Sequence, residues 1–228
     1  MAKFSKKLTA ARAKVDADKN YSLTESIKLA KETSYTKFDG SIDLAFTLNL
    51  DVRQADQQLR GSVSLPNGTG KKIRILAATD ENQEQVKEAG ADIVLGSGDL
   101  TQVLKSGKFD FDIIVTSPKM MPVLGRFGKE LGPKGLMPNP KTGTVTPNLV
   151  SAITEIKKGK ANYRTDKNGI IHTSIGKVSM TEESLVENAK TIIDTINKLK
   201  PSAVKGTYIK NLTVSPSMGP SIKITLEK

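Results

Sequence analysis

The chain has 228 residues, 37% of them apolar, which is enough for one large core or two modest ones. The absence of cysteine and the single histidine, His172, exclude disulfides, thiolate metal sites, cysteine nucleophiles and two-histidine relays. A net charge of +11 points to polyanionic partners, whereas 4% aromatic residues and no tryptophan argue against a surface of stacked bases, so binding should lean on phosphates and shape.

The first helix candidate, Lys3 to Val15, carries five basic residues and no acid, as a basic surface helix or arm would. A second helix starts at "SLTES", where Ser22 and Glu25 have capping-box spacing. In "SIDLAFTLNL" the period changes to two, with Ile42, Leu44, Phe46, Leu48 and Leu50 alternating with other residues as in a strand buried on one face. "GSVSLP" reads as a shorter strand closed by the turn "PNGTG". From Lys71 the rhythm is strand and helix in alternation: "IRILAAT", "NQEQVKEAG", "DIVLG", "LTQVLKSG", "FDIIVT" and "MMPVLGRFGKEL". Continuous apolar strands alternating with helices imply a parallel sheet covered on both faces. After a helix near Leu149 to Lys158, alternation returns in "ANYRT" and "IIHTSIG" around the turn "DKNG". The helix after Thr181 places Leu185, Val186, Ala189, Ile192, Ile193, Ile196 and Leu199 on one face, and "GTYIKNLTVS" and "SIKITLE" supply two more strands.

Antiparallel-type strands at both ends and parallel-type units between them predict an α+β outer domain made from both termini, residues 1–67 and 159–228, with an inserted α/β Rossmann-like three-layer domain, 68–158. Residues 68–159 hold 13 basic and 10 acidic groups, net +3, which leaves +8 on the remainder and makes the outer domain the expected polyanion binder. No apolar run nears the roughly 20 residues of a membrane helix, and "MAKFSKKLTAARAKV" lacks a secretory apolar segment, so a cytoplasmic protein without a membrane partner is expected.

Several motifs suggest chemistry and fail its requirements. "GTGKK" lacks P-loop spacing and precedes its strand, so it reads as a hinge or hairpin turn. Asp110 and Asp112 in "FDFD" have no third ligand nearby and read as the start of a strand. "GPKGLMPNPKTGTVT", Gly132 to Thr146, has three prolines that remove amide donors a phosphate cradle needs, and it reads as a stiff, extended surface segment. "SPSMGPS" offers Ser217, Met218 and Gly219 either as an RNA-contacting turn or as an ordinary connection between strands. The rival reading is an enzyme using the inserted unit for a nucleotide or cofactor, but the Gly-rich turn it requires after the first strand is missing from "IRILAATDENQE".

Taken in order, "TKFDGSIDLAFTLNLD", "DQQLRGSVSLPNGTGK", "FDFDIIVTSP", "LGPKGLMPNPKTGTV", "GIIHTSIGK", "KGTYIKN" and "SMGPS" closely resemble the bacterial type of the large-subunit ribosomal protein L-one family, across essentially the whole chain. The resemblance implies a non-enzymatic protein without cofactors, acting as a monomer within the large subunit of the cytoplasmic ribosome. Its implied partners are the stalk region of 23S ribosomal RNA, transfer RNA at the exit site, and its own operon messenger RNA, whose translation it represses. Matching RNA-binding positions are Lys37, Phe38 and Ser41 before the long strand and Ser217, Met218 and Gly219 in the late turn. Arg53, Arg60, Arg164, His172 and Lys177 flank the same strands and join them as candidates for phosphate or sugar contacts. Where the family usually reads Thr-Thr-Met-Gly, this chain has Pro216-Ser217-Met218-Gly219, which keeps a hydroxyl and loses an amide.

Overall fold

The computed structural model describes residues 5–107, 109–202 and 204–225. In chain order its elements are α1 (Lys6–Arg12), α2 (Leu23–Thr33), β1 (Ser41–Leu48), β2 (Arg60–Ser64), β3 (Ile75–Ala78), α3 (Gln83–Glu88), β4 (Ile93–Leu95), α4 (Ser97–Ser106), β5 (Ile113–Thr116), α5 (Met121–Gly125), α6 (Gly128–Leu131), α7 (Leu149–Lys157), β6 (Lys160–Arg164), β7 (Ile170–Lys177), α8 (Glu182–Lys198), β8 (Ile209–Pro216) and β9 (Ile222–Lys223). Short 3-10 turns at Ala55–Gln57, Pro118–Met120 and Pro140–Thr142 complete the set among the described residues. The chain divides into two compact units, Met1–Lys71 with Ala161–Lys228, and Lys72–Lys160.

The unit holding both termini contains a four-stranded antiparallel sheet in the order β7-β1-β8-β9. Along β1 the side chains of Ile42, Leu44, Phe46 and Leu48 are buried while Ser41, Asp43, Ala45 and Thr47 between them are only half-buried, the alternation of a sheet covered on one face. The covering layer is α2, through Ile27 and Ala30, and α8, through Leu185, Ala189, Ile192 and Ile196. α2 starts with a reciprocal capping box: the Glu25 amide donates to the Ser22 hydroxyl (3.3 Å) and the Ser22 amide to the Glu25 carboxylate (3.2 Å). The Ser22 amide, and with it the Ser22 hydroxyl, holds the Glu25 carboxyl below the usual carboxylate range. At α8 the Thr181 hydroxyl caps the Ser184 amide, with Glu182 and Glu183 complementing the positive end of the helix.

The other unit has a three-stranded parallel sheet, β4-β3-β5. Its central strand, β3, buries both faces: Ile75 and Ala77 pack with Ala152, Ile153 and Ile156 of α7, while Leu76 and Ala78 pack with Leu100 and Leu104 of α4 and Leu124 of α5. This is why β3 reads as an unbroken apolar run and not as an alternating one.

Five expectations need correction. "MMPVLGRFGKEL" is a 3-10 turn followed by two separate short helices, α5 and α6, since Gly125 and Gly128 on either side of Arg126-Phe127 weaken a continuous run. "ANYRT" and "IIHTSIG" do not form an extended hairpin: one bridge, Thr165 with Ile171, joins them, after which β6 pairs with β2 and β7 with β1. Leu199 is exposed and lies beyond α8, whereas Asn188, a polar residue on the apolar stripe, is fully buried. The Gly/Pro segment is not simply extended. Its Thr142 and Thr144 are buried, and Thr144 and Thr146 exchange backbone bonds with Thr116 (2.9 and 3.1 Å), so it continues the parallel sheet beyond β5. The first helix candidate, drawn from Lys3 to Val15, contracts to α1, and its first two residues lie outside the described residues.

Candidate nucleic-acid interface

The candidate residues fall into groups along β1, whose eight residues span about 27 Å. At its start the loop carrying Lys37 and Phe38 meets the turn after β8. The Ser41 amide donates to the Ser217 hydroxyl (2.9 Å), and the Ser217 amide and hydroxyl donate to the Ser41 carbonyl (2.9 and 3.2 Å). From the same loop the Tyr35 hydroxyl donates to the Met218 carbonyl (2.7 Å). These bonds fasten two segments far apart in sequence into one surface from which Phe38 and Met218 project, 60% and 72% exposed.

Met218 sits at φ +62°, a left-handed conformation that costs a non-glycine residue about 1–2 kcal/mol. Keeping a long apolar side chain there, exposed, has no packing reason in the fold. The adjoining Gly219 donates to the Pro216 carbonyl (2.9 Å), and a Cβ at Gly219 would lie 2.5 Å from Pro216 Cγ. The Pro-Ser variant of the turn thus retains a closed shape. Gly219→Ala must open it, and an RNA that reads the turn's shape should bind that variant about tenfold more weakly in a titration. Undiminished affinity would show that the shape of the turn is not what is read.

Lys177, at the end of β7, has its ammonium 3.8 Å from the Asp39 carboxylate and donates to the Asp39 carbonyl (3.4 Å), while Asp39 also accepts from the Ser179 amide and hydroxyl (3.1 and 2.9 Å). It therefore braces the Lys37–Gly40 loop as well as adding charge. Lys37 itself is exposed.

The second group lies past the other end of β1. Arg53 and Arg164 line a shallow cleft of about 580 Å³ together with Gln58, Asp166 and Lys167. Leu59 and Thr165 exchange hydrogen bonds (2.9 and 3.0 Å), which places Arg60 and Arg164 on neighbouring strands next to that joint. Asp166 accepts from the Asn168 and Ile170 amides (both 2.8 Å), fixing the β6–β7 turn, and these backbone bonds keep its carboxyl below the ordinary range.

Between the two groups runs the open face of the sheet. His172 is exposed there, opposite Ala45, and Asp43 pairs with Ser174 and Ser215. Sequence reasoning missed Tyr35, Asp39 and Asp43 as parts of this surface. Only the strand alternation of Asp43 hinted at its outward position, and nothing local signals the bonds of the other two. Burial raises the Asp43 carboxyl above its ordinary 3.8, with the Ser174 hydroxyl and the charge of His172 partly offsetting it. The folded protein therefore holds this proton more tightly than the unfolded chain, so Asp43 lowers stability as pH rises from 3.8 through the raised value. Asp43→Asn should raise the melting temperature at neutral pH and leave it unchanged below the ordinary aspartate value; an equal shift at both would exclude titration as the cause.

Among the described residues the parallel sheet shows no nucleotide cradle in the usual place, the carboxyl ends of its strands. There the Asp80 carboxylate already accepts from the Ser97 amide (2.8 Å) at the start of α4, where a phosphate would need the same donor. Among the described residues no group of three or more acidic, histidine or cysteine side chains is arranged to hold a metal, and no helix is long and apolar enough to cross a membrane.

Fold and composition together define a class: a basic, mixed α/β protein with exposed cationic and apolar side chains gathered at the two ends of one strand. The chain belongs to the ribosomal protein L1p/L10e family, whose model matches residues 30–220. It is 66% identical over 229 residues to the large ribosomal subunit protein uL1 of Mycoplasmopsis pulmonis, covering 100% of both chains. The protein of the same name from Mycoplasma mobile is 64% identical over 231 residues, covering 98% of this chain and 99% of its own. That from Mesomycoplasma hyopneumoniae is 60% identical over 229 residues, covering 100% and 99%. These are ribosomal proteins and not enzymes, so the reading as a cofactor-dependent enzyme is withdrawn.

Proposed function

We propose that this chain is a structural component of the large ribosomal subunit, working in the cytoplasm as a monomer within the ribosome, that binds 23S ribosomal RNA at the mobile stalk. It contacts the outgoing transfer RNA at the exit site and represses translation of its own messenger RNA through a similar RNA structure. The unit made from both termini, residues 1–67 and 159–228, is the RNA-binding domain, and residues 68–158 form an inserted Rossmann-like domain. Glycines with positive φ at Gly68, Gly70 and Gly159 support a hinge at the two crossings. Such a hinge lets the inserted domain move while the outer one stays anchored.

The observation that carries the RNA reading is the strained, outward-facing Met218 beside exposed Phe38, held by bonds from Ser217 and Tyr35. A rigid apolar tip suits a folded RNA surface, where it can fill a shape that a flexible lysine cannot. Lys37, Arg53, Arg60 and Arg164, all exposed, supply the salt-sensitive phosphate contacts around it, with His172 on the sheet between them. The test is titration of the purified protein with a stalk-region ribosomal RNA fragment and with a scrambled hairpin, each across a salt series. Selective binding to the fragment, with affinity falling steeply as salt rises, is expected. Equal affinity for both RNAs would reduce the surface to a basic patch and reject the proposal.

A further inference from the structure

We infer that Met218 is an oxidation site at which a peroxide lowers the protein's affinity for RNA, an inference that rests on the RNA reading of this turn. With no cysteine in the chain, methionine thioethers are the reactive sulfurs available to a two-electron oxidant. Among the described residues the other methionines are shielded. Met120 is 4% exposed, Met121 and Met137 are partly buried, and the partly buried Met180 packs its sulfur near Gly176 and accepts from the Lys177 amide (3.5 Å). Met218 is 72% exposed on a backbone fixed by the Tyr35 and Gly219 hydrogen bonds, so its sulfur stands in solvent in the free protein.

The step needs only a peroxide. A lone pair of the Met218 sulfur attacks the peroxide O–O bond, one oxygen is transferred to form the sulfoxide, and the other leaves as water when hydrogen peroxide is the oxidant. The thioether loses two electrons and the peroxide gains them. The product is polar and chiral where the thioether offered RNA an apolar contact, so the shape-reading tip loses its complementarity while the fold, which does not pack this side chain, is unaffected. Bound RNA covers the sulfur, which makes the free, unassembled protein the sensitive form.

The experiment treats the full-length protein with limiting hydrogen peroxide, maps the added oxygen by peptide mass spectrometry, and titrates the product with the stalk-region RNA fragment. Met218 should oxidise first, RNA should slow its oxidation, and affinity should fall about tenfold, the loss expected for one apolar contact made polar. Treatment with a methionine sulfoxide reductase and dithiothreitol should restore it. In Met218→Leu, peroxide should leave the variant's own affinity where it was. Oxidation at Met218 no faster than at Met120, Met137 or Met180 overturns the inference, as does a peroxide effect that persists in Met218→Leu. Full oxidation with undiminished affinity, while Met218→Ala still weakens binding, overturns the inference and leaves the RNA surface standing. If untreated Met218→Ala binds like the parent protein, the RNA reading of the turn fails, and the inference fails with it.

Discussion

Phe38→Ala and Met218→Ala should each weaken binding to the stalk-region RNA fragment by about ten- to thirtyfold, the range of an interface residue that carries binding energy. Neither should shift the melting temperature noticeably, because both side chains project from the fold, 60% and 72% exposed, and surface substitutions of that kind stay within about 0.5 kcal/mol. Met218→Gly separates the two effects more sharply. Glycine accepts the φ of +62° without the side-chain penalty, which should stabilise the protein by about 1 kcal/mol, yet it removes the thioether. Stability should rise while affinity falls, and thermal melts with parallel RNA titrations would show it. A variant that gained stability and kept full affinity would remove Met218 from the interface.

The largest expected effect on stability belongs to Asn188. Fully buried in α8, its amide donates to the Gly68 and Ile175 carbonyls (2.9 and 2.8 Å) and accepts from the Asn67 amide (3.1 Å). One side chain thus satisfies three backbone groups, including a carbonyl of the edge strand β7. Asn188→Ala leaves all three without that partner and should cost about 2–4 kcal/mol, read from the urea midpoint with an unchanged slope. A loss under about 1 kcal/mol would mean that water replaces the amide and that Asn188 is not a structural clamp.

Both predictions turn on contacts that differ in how legible they are. Phe38 and Met218 are legible only through a family resemblance carried by short motifs, whereas composition and spacing alone leave "SPSMGPS" open between an RNA-contacting and a connecting turn. Asn188 gave no warning: on the helical stripe it looks like a polar interruption, and only its three backbone partners explain it. The candidates also divide spatially in a way their order in the chain does not show. Lys37, Phe38 and Met218 gather at the start of β1, Arg53 and Arg164 beyond its end, and Lys177, a candidate for phosphate or sugar contacts, also braces the loop through Asp39.

Local pattern alone set the type of several elements: the capping box at Ser22 and Glu25, the period of two along β1, and the unbroken apolar run of β3. It did so because caps and periodicities are set by residues within a few positions of one another, where backbone geometry fixes which side chains share a face. Long-range packing settles that β6 pairs with β2, that the Gly/Pro segment extends a parallel sheet, and that Tyr35 fastens Met218 across 183 positions. Those outcomes depend on which backbone donors and acceptors remain unpaired once the apolar faces have packed. That competition is settled between segments distant in sequence and leaves no local pattern to read.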